Sequence, residues 1–135
     1  MTTKTISFNG VPVVFVEVHG LLTMQTLVTQ ALYEAVMGEN PSHHKGPGLP
    51  VESVSWHDVV ALAAKMTEMH PDLGLTFDLP TEEEWDAFRG ETPEDLDASA
   101  WHSNNAGGTT HPVGQLAPNE HGLYDVLGNV WKWLK

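Results

Sequence analysis

The chain contains no cysteine. It therefore has no disulfide framework to hold its loops and no thiolate to ligate a soft metal, and its redox compartment is left open. Basic residues are scarce. Six Lys and Arg stand against 18 Asp and Glu, for a formal net charge of −12. Nucleic acid and anionic membrane both need basic surface, so neither is expected as a partner. The charge suits cation binding or plain solubility. No apolar run is long enough to span a bilayer, and Met1-Thr2-Thr3-Lys4-Thr5 lacks the apolar core of a signal peptide. A cytoplasmic setting is the resulting expectation. Hydrophobic residues make up 41%, low for a globular protein, though five Trp and four Phe each bury a large area. With 135 residues, no internal repeat and no dividing linker, the expectation is one domain over 1–135 with a modest core.

Local patterns give an α+β chain. Ile6-Ser7-Phe8, Asn9-Gly10 and Val11 through Val18 read as a β-hairpin, because Asn-Gly tolerates the positive φ angles of a type I′ turn. Pro12 has no amide proton, which places the second strand at an edge or makes Pro12 its first paired residue. A first helix is expected from a Thr29 cap to Met37, stopped by Gly38, with Ala31, Leu32, Ala35 and Val36 as its apolar stripe. The stretch from Glu39 to Pro50 reads as loop. A second helix starts at a Ser55/Asp58 capping box, carries Val59, Leu62, Ala63, Met66 and Met69 at helical spacing, and ends at His70-Pro71. Thr81 and Glu84 repeat the box on a short helix with Trp85 and Phe88 inward. Beyond Gly90 no helical period is visible.

Four ordered segments carry a family resemblance: Val28-Thr29-Gln30-Ala31-Leu32-Tyr33, Pro50 through Asp58 (PVESVSWHD), Leu79 through Trp85 (LPTEEEW), and Gly122 through Trp133 (GLYDVLGNVWKW). Together they resemble the formylglycine-generating enzyme, or sulfatase-modifying factor, family. That resemblance implies a C-type-lectin-like fold: two helices packed on a small twisted antiparallel sheet, with much irregular loop. It also implies a domain shortened between its opening strand and first helix and after Trp133. Family enzymes oxidise a substrate cysteine to formylglycine with copper held by two cysteines. Nothing in this chain replaces those thiolates, so no catalytic residue is assigned.

The resemblance further implies a calcium loop, with ligands at Asp125, the carbonyls of Gly128 and Val130, and a Glu where this chain has Lys132. Calcium takes ~6–8 hard oxygen ligands and gains nothing from an ammonium. The loop is thus read as degenerate: no cofactor is expected, and calcium is at most weakly held. Alternatively, Lys132 folds back on Asp125 and replaces the ion by a salt bridge. The family's other calcium loop falls near Trp101-His102-Ser103-Asn104-Asn105.

The remaining clusters have plainer readings. Among the eight histidines, His43-His44, His57, His102, His111 and His121 show no compact ligand spacing. Glu82, Glu83, Glu84 and Asp86 sit where carboxylates complement a helix dipole. Trp56, Trp85, Trp131 and Trp133 read as core, and Trp101 as the exposed aromatic. Trp101, Asn104, Trp131 and Trp133 are the candidate ligand or interface residues.

The functional expectation is a non-catalytic binding or assembly domain, forming a homodimer or hetero-complex through the segment from Gly128 to Trp133. One alternative is a fragment or subunit of a copper-dependent formylglycine-generating oxidase completed by another chain. A second is a ligand-binding protein related to the variable proteins of diversity-generating retroelements.

Overall fold

The computed structural model describes residues 2–91, 95–102, 104–130 and 132–135. Its sheet starts with the expected hairpin. Strands β1 (Thr3–Phe8) and β2 (Val11–Val18) pair antiparallel around Asn9 and Gly10, whose φ angles of 47° and 87° suit a type I′ turn. A third strand, β3 (Leu21–Met24), follows a second tight turn at His19 (φ 50°) and Gly20 (φ 81°). The order is β1-β2-β3, so β2 is the middle strand and not an edge. Pro12 is tolerated there for a geometric reason. Phe8 and Val11 close the two-residue hairpin, and the next pair, Ser7 and Pro12, is a non-hydrogen-bonded one. The side of Pro12 that lacks a proton therefore faces away from β1. The β3 pairing reaches only to Phe15 opposite Met24, leaving that side of Pro12 free of a strand.

The helices follow their caps. Helix α1 (Gln30–Met37) begins with the Thr29 hydroxyl accepting from Leu32 N at 3.1 Å and stops at left-handed Gly38. Helix α2 (Trp56–Met69) carries the Ser55/Asp58 box and runs into a 3-10 turn at Pro71–Leu73. Helix α3 (Glu82–Arg89) carries the Thr81/Glu84 box. A one-turn helix that periodicity did not reveal, α4 (Leu96–Ser99), starts from an Asp95 cap. No described helix is long and apolar enough to cross a membrane.

Strand β2 is buried on both faces, and this sets the layering. Val13 and Phe15, with Ile6 and Phe8 of β1, meet Leu32, Tyr33 and Val36 of α1 and Leu62 and Met66 of α2. On the opposite face Val16 and Val18 meet Leu123, Phe88 and Val126. The sheet thus lies between the two main helices and the irregular C-terminal half. Each fully buried Val, Leu or Phe contributes about 1.5–3 kcal/mol, so both layers are needed to hold a domain of this size.

Several side chains hold the loop from Glu39 to Pro50, Ser42 and Glu52 among them, and Gln30 is the most fully buried. Gln30 is 1% exposed, and its amide makes four hydrogen bonds. Nε2 donates to the carbonyls of His44 (2.5 Å) and Pro50 (3.3 Å), while Oε1 accepts from Asn40 Nδ2 (2.9 Å) and Gly46 N (3.1 Å). Removing a buried partner strands the groups left behind, at about 1–3 kcal/mol each. Gln30→Ala should therefore lower the unfolding free energy in urea by about 3 kcal/mol or more. Gln30→Met, similar in length but without donors, should rescue little of it.

Candidate functional site

Residues 110–130 and 132 have almost no regular structure, and side chains satisfy much of their backbone. Asn129 straps His111 at two points: Oδ1 accepts from His111 N at 3.1 Å, and Nδ2 donates to His111 O at 2.9 Å. Asp125, 3% exposed, accepts from Gly114 N at 3.0 Å through Oδ2. Asn119 donates to the carbonyls of Phe88 (2.7 Å) and Arg89 (3.1 Å) at the end of α3, and accepts from His121 and Leu123 amides. Gly128 has a φ of +78°, and a Cβ built there would overlap the Trp101 carbonyl oxygen. Glycine is required here by space as well as by conformation. Gly108 has a φ of +77° and nothing within 4 Å of such a Cβ. Gly108→Ala should then lose only the ~1–2 kcal/mol of a left-handed alanine, whereas Gly128→Ala should lose clearly more in the same thermal melt.

The carbonyls of Gly128 and Val130 converge as the family calcium ligands would, and Lys132 fills the place between them. Its Nζ donates to Gly128 O at 2.5 Å and to Val130 O at 2.8 Å. Asp125 is nearby without being its hydrogen-bond partner; Oδ2 faces Gly114 N and Oδ1 is 3.5 Å from Asn129 Nδ2. The expected Lys132–Asp125 salt bridge is therefore replaced by an ammonium seated on carbonyls, with the carboxylate acting through its field. Burial pushes the Lys132 pKa down to about 8, against the pull of Asp125. At neutral pH the side chain is still a cation. These residues do not fit calcium: a positive charge stands on two of the required oxygens, and the carboxylate's oxygens have other donors.

The other candidate residues are dispersed. Trp101, expected to be exposed, is half-buried and stacks on His111, with ring centroids 3.8 Å apart and planes at 16°. Its Nε1 is buried without a partner among the described residues. Asn104 is exposed, with its amide 3.4 Å from His102 Nδ1. Trp131 lies outside the described residues. Trp56 and Trp133, read as core, are 38% and 41% exposed. Their indole N–H groups explain why they sit at the surface. Trp56 Nε1 donates to Leu134 O (2.8 Å) and Trp133 Nε1 to Val54 O (3.1 Å), so each ring sits where its polar tip finds a carbonyl.

Beside Trp133 opens a largely apolar cleft of about 460 Å³, walled by Leu22 and Met24 of β3, Leu62 and Met66 of α2, and Trp85 of α3. Leu21 (43% exposed) and Leu22 (37%) also lie on it. This feature was missed because β3 was missed. The signal lay in His19-Gly20, a turn dipeptide between two apolar runs.

Among the described residues no three His, Asp or Glu are placed to hold an ion together. His43 and His44 lie edge to face, and their amides donate to Glu52 at 2.7 and 2.9 Å. Burial alone would raise the Glu52 pKa, but these two amides, the Ser53 hydroxyl and the charge of His44 outweigh it and hold the carboxyl below its ordinary range. A depressed carboxyl stabilises the fold above its unfolded pKa of ~4.3, and that contribution is lost as pH falls through the folded value. The stability gap between wild type and Glu52→Gln should be full at neutral pH and close below about pH 4 in acid titrations followed by circular dichroism.

Comparison with known proteins identifies the family and the fold. The sulfatase-modifying factor enzyme 1-like domain matches residues 1–135. The chain belongs to this family. It is 34% identical to the formylglycine-generating enzyme of Thermomonospora curvata over 78% of its own length and 39% of that enzyme. It is 28% identical to chaperone protein LppX of Paenibacillus barcinonensis over 78% of its length and 58% of that protein. The chain thus spans roughly two-fifths to three-fifths of these curated relatives. Among solved structures, Treponema denticola variable protein 1 superposes with a TM-score of 0.84 at 25% identity, covering 99% of this chain and 76% of that one. The fold is that of the formylglycine-generating enzymes, C-type-lectin-like and α+β, as the motifs implied.

Proposed function

We propose that this chain is a non-catalytic binding or assembly domain that takes an apolar segment of a second polypeptide into the cleft between β3, α2, α3 and the residues Val130, Lys132, Trp133 and Lys135. The cleft carries the reading. Its volume of about 460 Å³ suits a bound side-chain cluster, and Leu21, Leu22 and Trp133 expose apolar surface on it. β3 ends the sheet, and a terminal strand offers backbone groups to an incoming segment. The complete absence of cysteine removes the thiolates that copper chemistry requires. The name of LppX, a chaperone, supports binding, and the likeness to Treponema denticola variable protein 1 supports a relationship to variable proteins. The match to 39% of the Thermomonospora curvata enzyme favours one second reading, an oxidase completed by a chain that brings the cysteines to this same face.

Light scattering over a concentration series should show association of the wild type. Leu22→Asp and Trp133→Ala should each weaken it about tenfold or more, as truncation of central apolar anchors does, while far-UV circular dichroism of the helices stays unchanged. A strict monomer with Trp133 shielded from a soluble quencher overturns assembly through this face. The isolated protein should also leave a Cys-x-Pro-x-Arg peptide unoxidised in the presence of copper and oxygen. Formylglycine detected by mass spectrometry above a no-protein control overturns the non-catalytic reading.

A further inference from the structure

We infer that Lys132 is a tethered cation that stands in for a divalent ion in the loop from Asp125 to Lys132, and makes this loop independent of calcium. The inference rests on the loop's oxygens and charge, and not on what the cleft binds, although Val130 and Lys132 also line the cleft.

Two backbone carbonyls, Gly128 O and Val130 O, point at one spot, and the ammonium occupies it at 2.5 and 2.8 Å. The loop reaches this shape through left-handed residues at Asp125 (φ 55°), Gly128 (φ 78°) and Asn129 (φ 66°). Converging carbonyls beside a 3%-exposed carboxylate are a set of hard oxygens that must face positive charge when buried.

Charge counting separates the two ways of meeting that need. With Asp125 and Lys132 the loop is neutral without an ion. With carboxylates at both positions it would be neutral only around a divalent cation. Adding such a cation to the present pair would leave two uncompensated positive charges in a partly buried site, which excludes it. The ammonium also differs from an ion by being covalently attached. The loop is then closed at every calcium concentration, whereas a bound ion stabilises only in proportion to its occupancy.

The test uses thermal melts in excess calcium and in chelator, with tryptophan-sensitised terbium emission as a direct probe of the site. The wild type should melt at the same temperature in both and give no saturable terbium signal. Lys132→Glu should gain about 5 °C or more from calcium and show terbium emission that calcium competes away. A wild-type melt that falls in chelator overturns the inference. So does a saturable wild-type terbium signal displaced by calcium, or a folded Lys132→Glu protein that calcium leaves unchanged. Should Lys132→Glu fail to fold, Lys132→Arg and Lys132→Met decide. The Arg variant should keep most of the wild-type melting temperature, and the Met variant should lose several degrees that calcium does not restore. A Met variant as stable as the wild type overturns the inference.

Discussion

Every buried backbone amide and carbonyl needs a partner, and in this protein side chains supply many of them. Regular structure is limited to three strands, four helices and one 3-10 turn among the described residues, so ladders and helical bonds cover only part of the chain. Gln30 fixes the loop from Glu39 to Pro50, Asn119 completes the end of α3, Asn129 straps His111, and Lys132 gathers two carbonyls. Each residue works because its side chain presents the particular donors or acceptors that its neighbours lack. This also explains what the family motifs are made of. The Gln of the first motif and the Asp, Gly and Asn of the last are fasteners of irregular backbone.

Features governed by neighbours in sequence were legible. Thr29, Ser55 and Thr81 start helices, Gly38 ends one and Asn9-Gly10 turns a hairpin, because cap and turn energetics act over a few residues. Features governed by distant partners were not. Nothing near Pro12 tells that β3 stops at the level of Phe15, which is what makes a proline acceptable in a middle strand. Nothing near Val16 and Val18 tells that Leu123 and Phe88 cover them, so β2 could not be read as buried on both sides. His19-Gly20 is a weaker local signal than Asn9-Gly10, because the established two-residue hairpin dipeptides are Asn-Gly, Asp-Gly and Gly-Gly.

The same limit applied to the candidate site. Lys132 could be seen to break the calcium pattern, and its return toward Asp125 could be imagined. Its seat on Gly128 O and Val130 O depends on a backbone path that only the folded loop defines. The tryptophans were misjudged for a related reason. Indole size argues for burial, but Trp56 and Trp133 are placed by their N–H groups, each of which found a carbonyl at the surface.

Those two indoles join segments far apart in the chain. Trp56 reaches across 78 residues to Leu134, and Trp133 across 79 to Val54. The two bonds run in opposite directions between the same pair of segments and act as a double clasp. Closing so large a loop carries an entropy cost, which grows slowly with loop length and which the two bonds share because one closure makes both. Both rings stand partly in water, 38% and 41% exposed, so the clasp lies at the surface and not in the core. Trp133 also borders the apolar cleft, so the clasp and the cleft share one wall. The clasp is backed at the chain's last described residue, where the Lys135 amide donates to Pro80 O at 2.8 Å and its ammonium pairs with Asp78 at 2.9 Å, so residues 133–135 are tied to both α2 and the segment before α3.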